Sequence, residues 1–211
     1  MGFYPIVVEM TDRLCVVIGG GAVAERKVEA LLGVGAQVTV VSPRLTARLE
    51  SWVQAGAIRH LAREYRPGDL AEFALAFVAT DDGAVNATVF ADGRQAGVWV
   101  NAADDPTHCD FILPAILRRG ELVVAVATGG ASPALSRLVR DELETHLTPD
   151  YGGLVGLVAE VRRELRRRGR VVPAARWRTA LEPGLRRLIA AGQRDVAHAR
   201  LLTMLEAEEC R

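Results

Sequence analysis

The run Gly19-Gly20-Gly21-Ala22-Val23-Ala24 spaces Gly19, Gly21 and Ala24 as GxGxxA, directly after an apolar stretch and at the head of a helical pattern. In such a context the first glycine permits a tight turn and the second lets the backbone approach a phosphate. A small third residue lets the helix pack close to the strand. The N–H groups of Ala22, Val23 and Ala24, at the positive end of the helix, then face an anion. The implied chemistry is retention of a dinucleotide pyrophosphate, as in NAD. The second strand ends Val40-Val41-Ser42-Pro43-Arg44, without the acid that commonly holds the ribose hydroxyls of NAD. Ser42 and the backbone around Pro43 suit an unphosphorylated ribose, whereas Arg44 suits a 2′-phosphate, so NAD and NADP both stay open. Thr80 follows the fourth apolar run, where sheets of this kind approach the nicotinamide half of the cofactor.

A second candidate lies in Asn101-Ala102-Ala103-Asp104-Asp105-Pro106. Asp104 stands just past a fifth strand, in the place for a base that takes a proton as a hydride leaves. Asp105 adjoins it as a rival, and either aspartate also suits a turn before Pro106. His108 is close in sequence, but His60, His146 and His198 share no ligand spacing with it, so no metal site is expected. Cys15, Cys109 and Cys210 contain no CxxC pair, which argues against a disulfide framework and a thiolate zinc site and fits a reducing cytoplasm.

Positioning these residues requires a parallel sheet with crossover helices. Strands are expected at Leu14 to Ile18, Val38 to Val41, Ile58 to Leu61, Leu75 to Ala79 and Val98 to Val100. Ala24, Val28, Leu31 and Leu32 give the first helix one apolar face, stopped by Gly33 and Gly35. Leu45, Leu49, Trp52 and Val53 mark a second helix, and Val85, Val89 and Ala96 a third. The pattern then changes: Phe111 to Leu117 and Leu122 to Ala127 read as a hairpin joined by Arg118-Arg119-Gly120-Glu121. Ser132 and Pro133 start a helix whose apolar face is Leu135, Leu138, Val139 and Leu143. Beyond Pro149 the chain is helical, with Tyr151, Leu154, Val155, Val158 and Leu165 on one side and a further helix from Arg194 to Glu208. Pro173 and Pro183 divide this tail. The fold class is α/β: a Rossmann-type parallel sheet over residues 1–113, a hairpin and helix segment over 114–148, and a helical tail over 149–211.

Of the 211 residues half are hydrophobic, enough for a sizeable core, and 26 Lys and Arg balance 26 Asp and Glu. No global field draws the chain to nucleic acid or to an acidic membrane. The arginine run from Arg162 to Arg170 lacks interleaved aromatics and reads as the polar face of a tail helix. No apolar stretch approaches the ~20 residues of a membrane span, and no basic leader is seen, so a soluble chain is expected.

Five separated motifs occur in one order: Gly19 to Lys27, Ala79-Thr80-Asp81-Asp82, Asn101 to Pro106, Phe111-Ile112-Leu113-Pro114-Ala115, and Ala127 to Arg137 with Gly129-Gly130-Ala131-Ser132-Pro133 at its centre. Together they resemble the precorrin-2 dehydrogenase and sirohydrochlorin ferrochelatase family, which also forms the N-terminal module of sirohaem synthases. The resemblance runs from about Pro5 to Leu147. It implies NAD-dependent oxidation of precorrin-2 to sirohydrochlorin, with ferrous iron insertion as a second activity in some members. It also implies a homodimer joined through residues 114–148. The family aspartate maps to Asp104, and Ser132 maps to a serine near the tetrapyrrole. Because the implied substrate carries eight carboxylates, Arg137, with Arg118, Arg119 and Arg140, is a candidate partner. The rival from another class is a non-catalytic NAD(H)-sensing Rossmann module, which needs Gly19 to Ala24 but not the Asp104 motif.

Overall fold

The structure, a computed structural model, describes residues 2–207; Cys210 and the expected helix end at Glu208 lie outside them. The first strand, β1 (Leu14–Ile18), is buried from Cys15 onward, as expected of a strand covered on both faces. It leads into α1 (Ala22–Leu32), which buries Ala24, Val28 and Leu31 and ends with Gly33 as its cap. Then follow β2 (Gln37–Val41), α2 (Ala47–Gln54), β3 (Ile58–Leu61), β4 (Leu75–Val78), α3 (Gly83–Ala96) and β5 (Trp99–Ala102). All neighbours pair in parallel, in the order β3-β2-β1-β4-β5. The chain leaves β1 toward one side for β2 and β3, and returns to β1's other side for β4 and β5. This reversal falls between β1 and β4, and it is outside the carboxyl ends of the strands at such a point that doubly wound sheets bind their ligands. The expected Rossmann-type class is thus the observed one.

Two cores flank the sheet. Cys15, Val17, Ala24, Val28, Val38, Val40 and Phe77 fill one, and Val16, Ile18, Val78, Val89 and Val100 fill the other. The alternation along β1 sends its side chains to the two cores in turn. The expected strand at Phe111 to Leu117 is split. Phe111 packs edge-on to Phe77, their centroids 5.6 Å apart, and its carbonyl accepts from the Asn101 amide. The strand β6 starts only at Ala115 (Ala115–Arg119).

The chain divides into two compact units, one up to Leu113 and one from Pro114. In the second, β6 pairs antiparallel with β7 (Leu122–Val126) across a two-residue turn at Gly120-Glu121, where Gly120 has φ +56°. The helices are α4 (Pro133–His146), α5 (Asp150–Arg167), α6 (Ala174–Ala180), α7 (Pro183–Ala190) and α8 (Arg194–Glu206). The start of α5 lies against the hairpin turn so closely that a Cβ on Gly152 would stand 2.9 Å from the Arg119 backbone. The tail core is Leu157, Val161 and Leu165 from α5 with Leu185, Leu201 and Leu205. Leu157 replaces Tyr151 and Val155 on the fully buried side, because helices close on α5 from more than one direction. In α4 the expectation holds only in part: Val139 and Leu143 are partly buried, but Leu135 and Leu138 are 48% and 55% exposed, and Ser136 is the residue fully buried. Among the described residues no helix is long and apolar enough to cross a membrane.

Candidate functional site

The glycine turn is fixed by close approach of backbone on two sides. Gly19 has φ +111°, and a Cβ there would lie 2.3 Å from the Ala79 carbonyl oxygen at the end of β4. Its N–H donates to the Val41 carbonyl at 2.9 Å, which joins the turn to the end of β2. Gly20, the unspecified position of the motif, is as constrained: its Cβ would meet the Arg44 carbonyl oxygen at 2.0 Å and the Ser42 hydroxyl at 2.7 Å. Gly21 differs, since nothing stands within 4 Å of its would-be Cβ. It is the N-cap of α1 and supplies no side-chain cap. The first-turn N–H groups of Ala22, Val23 and Ala24 are thus left without a side-chain cap among the described residues, as the start of a helix leaves them without intrahelical partners. Glu25 in that turn accepts from the Thr46 hydroxyl at 2.8 Å and pairs with Arg48 at 3.6 Å, which offsets an anion beside a phosphate site. These residues fit a dinucleotide pyrophosphate: two glycines shape the turn, and the third leaves the cradle open.

Beside this turn, Ser42 is buried and its hydroxyl donates to the Arg44 carbonyl at 2.7 Å, while His60 Nε2 meets its carbonyl at 2.9 Å. The loop at Ser42, Pro43 and Arg44 is thus shaped from within. Arg44 is exposed and forms no ion pair among the described residues. At the end of β4, the Thr80 hydroxyl accepts from the Asp82 N–H at 3.1 Å, and Asp82 caps α3 through the Ala84 and Val85 N–H groups.

The end of β5 separates the two aspartates. The Asp105 carboxylate accepts from Thr107 at 2.7 Å and from the buried Asn86 amide at 3.2 Å, and meets His108 Nδ1 at 2.7 Å. The Thr107 and His108 hydrogen bonds hold its pKa down at about 2. Asp104 is exposed, adopts φ +58°, and its carboxylate carries no hydrogen bond or ion pair among the described residues. A non-glycine residue in that conformation costs on the order of 1 kcal/mol, less for Asp than for most. Behind them, Asn101 is buried; its amide donates to the Phe111 carbonyl at 2.9 Å and its Oδ1 accepts from Lys27 at 3.4 Å. The Cys109 thiol donates to the Ala102 carbonyl at 3.2 Å, and burial pushes its pKa up. Sequence reasoning had assigned no role to Asn86, Asn101 or Lys27, whose partners lie 19 or 74 residues away.

In the second unit, Ser132 caps α4, its hydroxyl accepting from the Leu135 N–H at 3.1 Å. Arg137 is exposed and donates to the Pro133 carbonyl at 3.2 Å. Arg119 is committed to the Leu147 carbonyl and Glu144, and Arg140 to Asp141 and Glu144. Among the described residues no group of three or more His, Cys, Asp or Glu side chains can hold a metal ion.

The reversed sheet order and the open glycine cradle at the head of α1 define a dinucleotide-binding protein of the Rossmann class. Residues 6–115 match the family model described as "Putative NAD(P)-binding", and residues 119–146 match "Sirohaem biosynthesis protein central". The chain belongs to the family of NAD(P)-binding proteins that comprises precorrin-2 dehydrogenases and the first part of sirohaem synthases. It is 38% identical over 208 residues to a "Siroheme synthase" of Nitrosococcus oceani, covering 98% of this chain and 44% of that protein. A "Siroheme synthase" of Nitrosospira multiformis is 40% identical over 215 residues, covering 99% and 45%. The chain thus spans less than half the length of these relatives. The solved structure of "SirC, precorrin-2 dehydrogenase" superposes with a TM-score of 0.73 at 28% identity, covering 97% of this chain and 99% of that one.

Proposed function

We propose that this chain oxidises precorrin-2 to sirohydrochlorin with NAD as the hydride acceptor, a step of sirohaem synthesis in a reducing cytoplasm. The observation that carries this reading is Asp104, a carboxylate with no hydrogen bond or ion pair among the described residues, held in a strained conformation on the sheet edge that also carries the open Gly21 cradle. The names of the relatives and of the similar solved structure support the substrate.

Removing two hydrogens from the reduced macrocycle sends a hydride to the nicotinamide, which is the chemistry the cofactor supplies when bound, and a proton to a base. Gly19 shapes the turn, its own N–H being given to Val41, and the backbone N–H groups of Gly21, Ala22, Val23 and Ala24 hold the pyrophosphate. The loop of Ser42, Pro43 and Arg44 receives the adenosine ribose, and Thr80 borders the nicotinamide half. Asp104 accepts the proton, because its oxygens are free. Asp105 is a poor base at about pKa 2 and serves to fix the turn. Ser132 and Arg137 contact the substrate's carboxylates. The exposed Leu135 and Leu138, with Ile116 at 44% exposure, supply an apolar face for a second copy through residues 114–148. Leu138→Glu is expected to convert the dimer to a monomer by sedimentation; an unchanged mass removes that face from the interface.

An anaerobic assay with precorrin-2 tests the reading, adding NAD or NADP and then ferrous ion while tetrapyrrole spectra are recorded. NADH formation with the sirohydrochlorin spectrum supports the dehydrogenase. NAD binding without turnover supports the sensing module instead. Faster metallation on addition of ferrous iron extends the activity to iron insertion.

A further inference from the structure

Lys27, on the second turn of α1, reaches toward the end of β5 and is half-buried there. Its ammonium stands 5.8 Å from the Phe77 ring centroid and donates to Asn101 Oδ1 at 3.4 Å. No carboxylate of the described residues pairs with it. An ammonium has three N–H groups and is costly to take out of water with so few partners. Burial accordingly pulls its pKa below the ordinary lysine value, reinforced by Arg26 and opposed by Cys109 and Asp104. Arg26 and Arg44 on this unit likewise form no ion pair among the described residues, but they are exposed and bear no such cost. A half-buried cation with no ion pair among the described residues, whose hydrogen-bond acceptor Asn101 lies three residues before Asp104, is matched to an anion that arrives with the ligand.

We propose that Lys27 receives one carboxylate of the tetrapyrrole beside Asp104 and so sets which edge of the macrocycle meets the base. The assignment rests on the function proposed above. The pyrophosphate is already served by the α1 N-terminus, so Lys27 acts on the substrate and not on the cofactor. Asn101 and Phe77 hold the ammonium in place, and the Cys109 thiol completes the group of titratable neighbours with Asp104 and Arg26.

The test uses the full chain and the variants Lys27→Met, Lys27→Gln and Lys27→Arg. Sirohydrochlorin is titrated without cofactor, NAD is titrated alone, and precorrin-2 oxidation is followed anaerobically. Lys27→Met and Lys27→Gln are expected to weaken sirohydrochlorin binding and raise KM for precorrin-2 by roughly tenfold or more, with kcat within about threefold and NAD affinity within about twofold. Lys27→Arg recovers most of the loss. In the unmodified chain, sirohydrochlorin binding weakens as pH rises through the lowered lysine pKa, and in Lys27→Met this alkaline loss disappears. Its persistence there assigns the titration to Cys109 and overturns the proposal. Unchanged sirohydrochlorin affinity and KM in both neutral variants, or a loss confined to NAD, overturns it as well. A wild-type chain that neither oxidises precorrin-2 nor binds sirohydrochlorin overturns the functional reading and this assignment together. A wild type that does both while the neutral variants match it overturns the assignment alone.

Discussion

At Gly20 one added methyl would stand 2.0 Å from the Arg44 carbonyl oxygen, whereas at Asp104, farther along the same sheet edge, the carboxylate has no hydrogen-bonding partner among the described residues. The cofactor half of the edge is built from backbone: Gly19 against Ala79, Gly20 against Arg44, and the Gly19 N–H on Val41. The chemical half is built from side chains, with Asn86, Thr107 and His108 on Asp105, and Lys27 on Asn101. On the function proposed, a ligand fragment that is the same in every turnover is met by a rigid backbone shape. The reacting group is then met by Asp104, whose carboxylate has no hydrogen bond or ion pair among the described residues, on a turn whose neighbours are held.

The widest separation between the halves should come from Asp104→Ala. Loss of a general base costs about 100- to 10,000-fold in oxidation rate, while NAD affinity, set at the other half, stays within about twofold. Near-normal turnover would remove Asp104 from the reaction and leave its left-handed φ unexplained. The converse variant is Gly20→Ala. The added methyl cannot be absorbed by a flexible side chain, because it meets backbone, so a stability loss of about 3 kcal/mol and a large fall in NAD affinity are expected. Denaturant unfolding and NAD titration check both, and a variant that melts and binds like the wild type would mean that the loop after β2 yields. Arg44→Ala is gentler. It should weaken NADP by about fivefold, as expected for an exposed charge pair, and leave NAD almost unchanged. Equal effects on the two cofactors would place the arginine away from the 2′ position.

The same contrast explains what the sequence could reveal. Gly19, Gly21 and Ala24 were legible because the motif recurs at a fixed spacing between an apolar strand and a helix, although the atoms that crowd Gly19 belong to Ala79, and the five strands were legible because each is a short apolar run. Gly20 was hidden, since the atoms that exclude a side chain there belong to a loop more than twenty residues on. The choice between Asp104 and Asp105 was open for a similar reason: Asn86, which helps to occupy Asp105, comes from α3. Leu135 and Leu138 carried a true helical periodicity, but periodicity says only that a face is apolar; among the described residues Val139 and Leu143 are partly covered while Leu135 and Leu138 stay exposed. In α5 a sound pattern still missed Leu157, because three further tail helices decide which side is deepest.

The smallest expected effect tests whether the chemical half is held by charge. The Asp105 pKa lies at about 2, lowered from 3.8 by its Thr107 and His108 hydrogen bonds. A carboxylate whose folded value lies below its unfolded one adds stability that is fully present above the unfolded value and is lost as pH falls through the folded one. Wild type should therefore melt above Asp105→Asn at neutral pH, and the gap should close between about pH 4 and pH 2. A gap that is constant across that window would mean that hydrogen-bond geometry, and not ionisation, holds the turn. Asp105→Asn then becomes informative for Asp104 as well. If the turn loosens, oxidation falls while NAD affinity holds, because the strained φ of Asp104 depends on the residue that follows it being tied to α3. If oxidation is unaffected, the side-chain network serves the fold alone, and the backbone pairing of Ala103 with Val78 at 2.8 Å is enough to present the base.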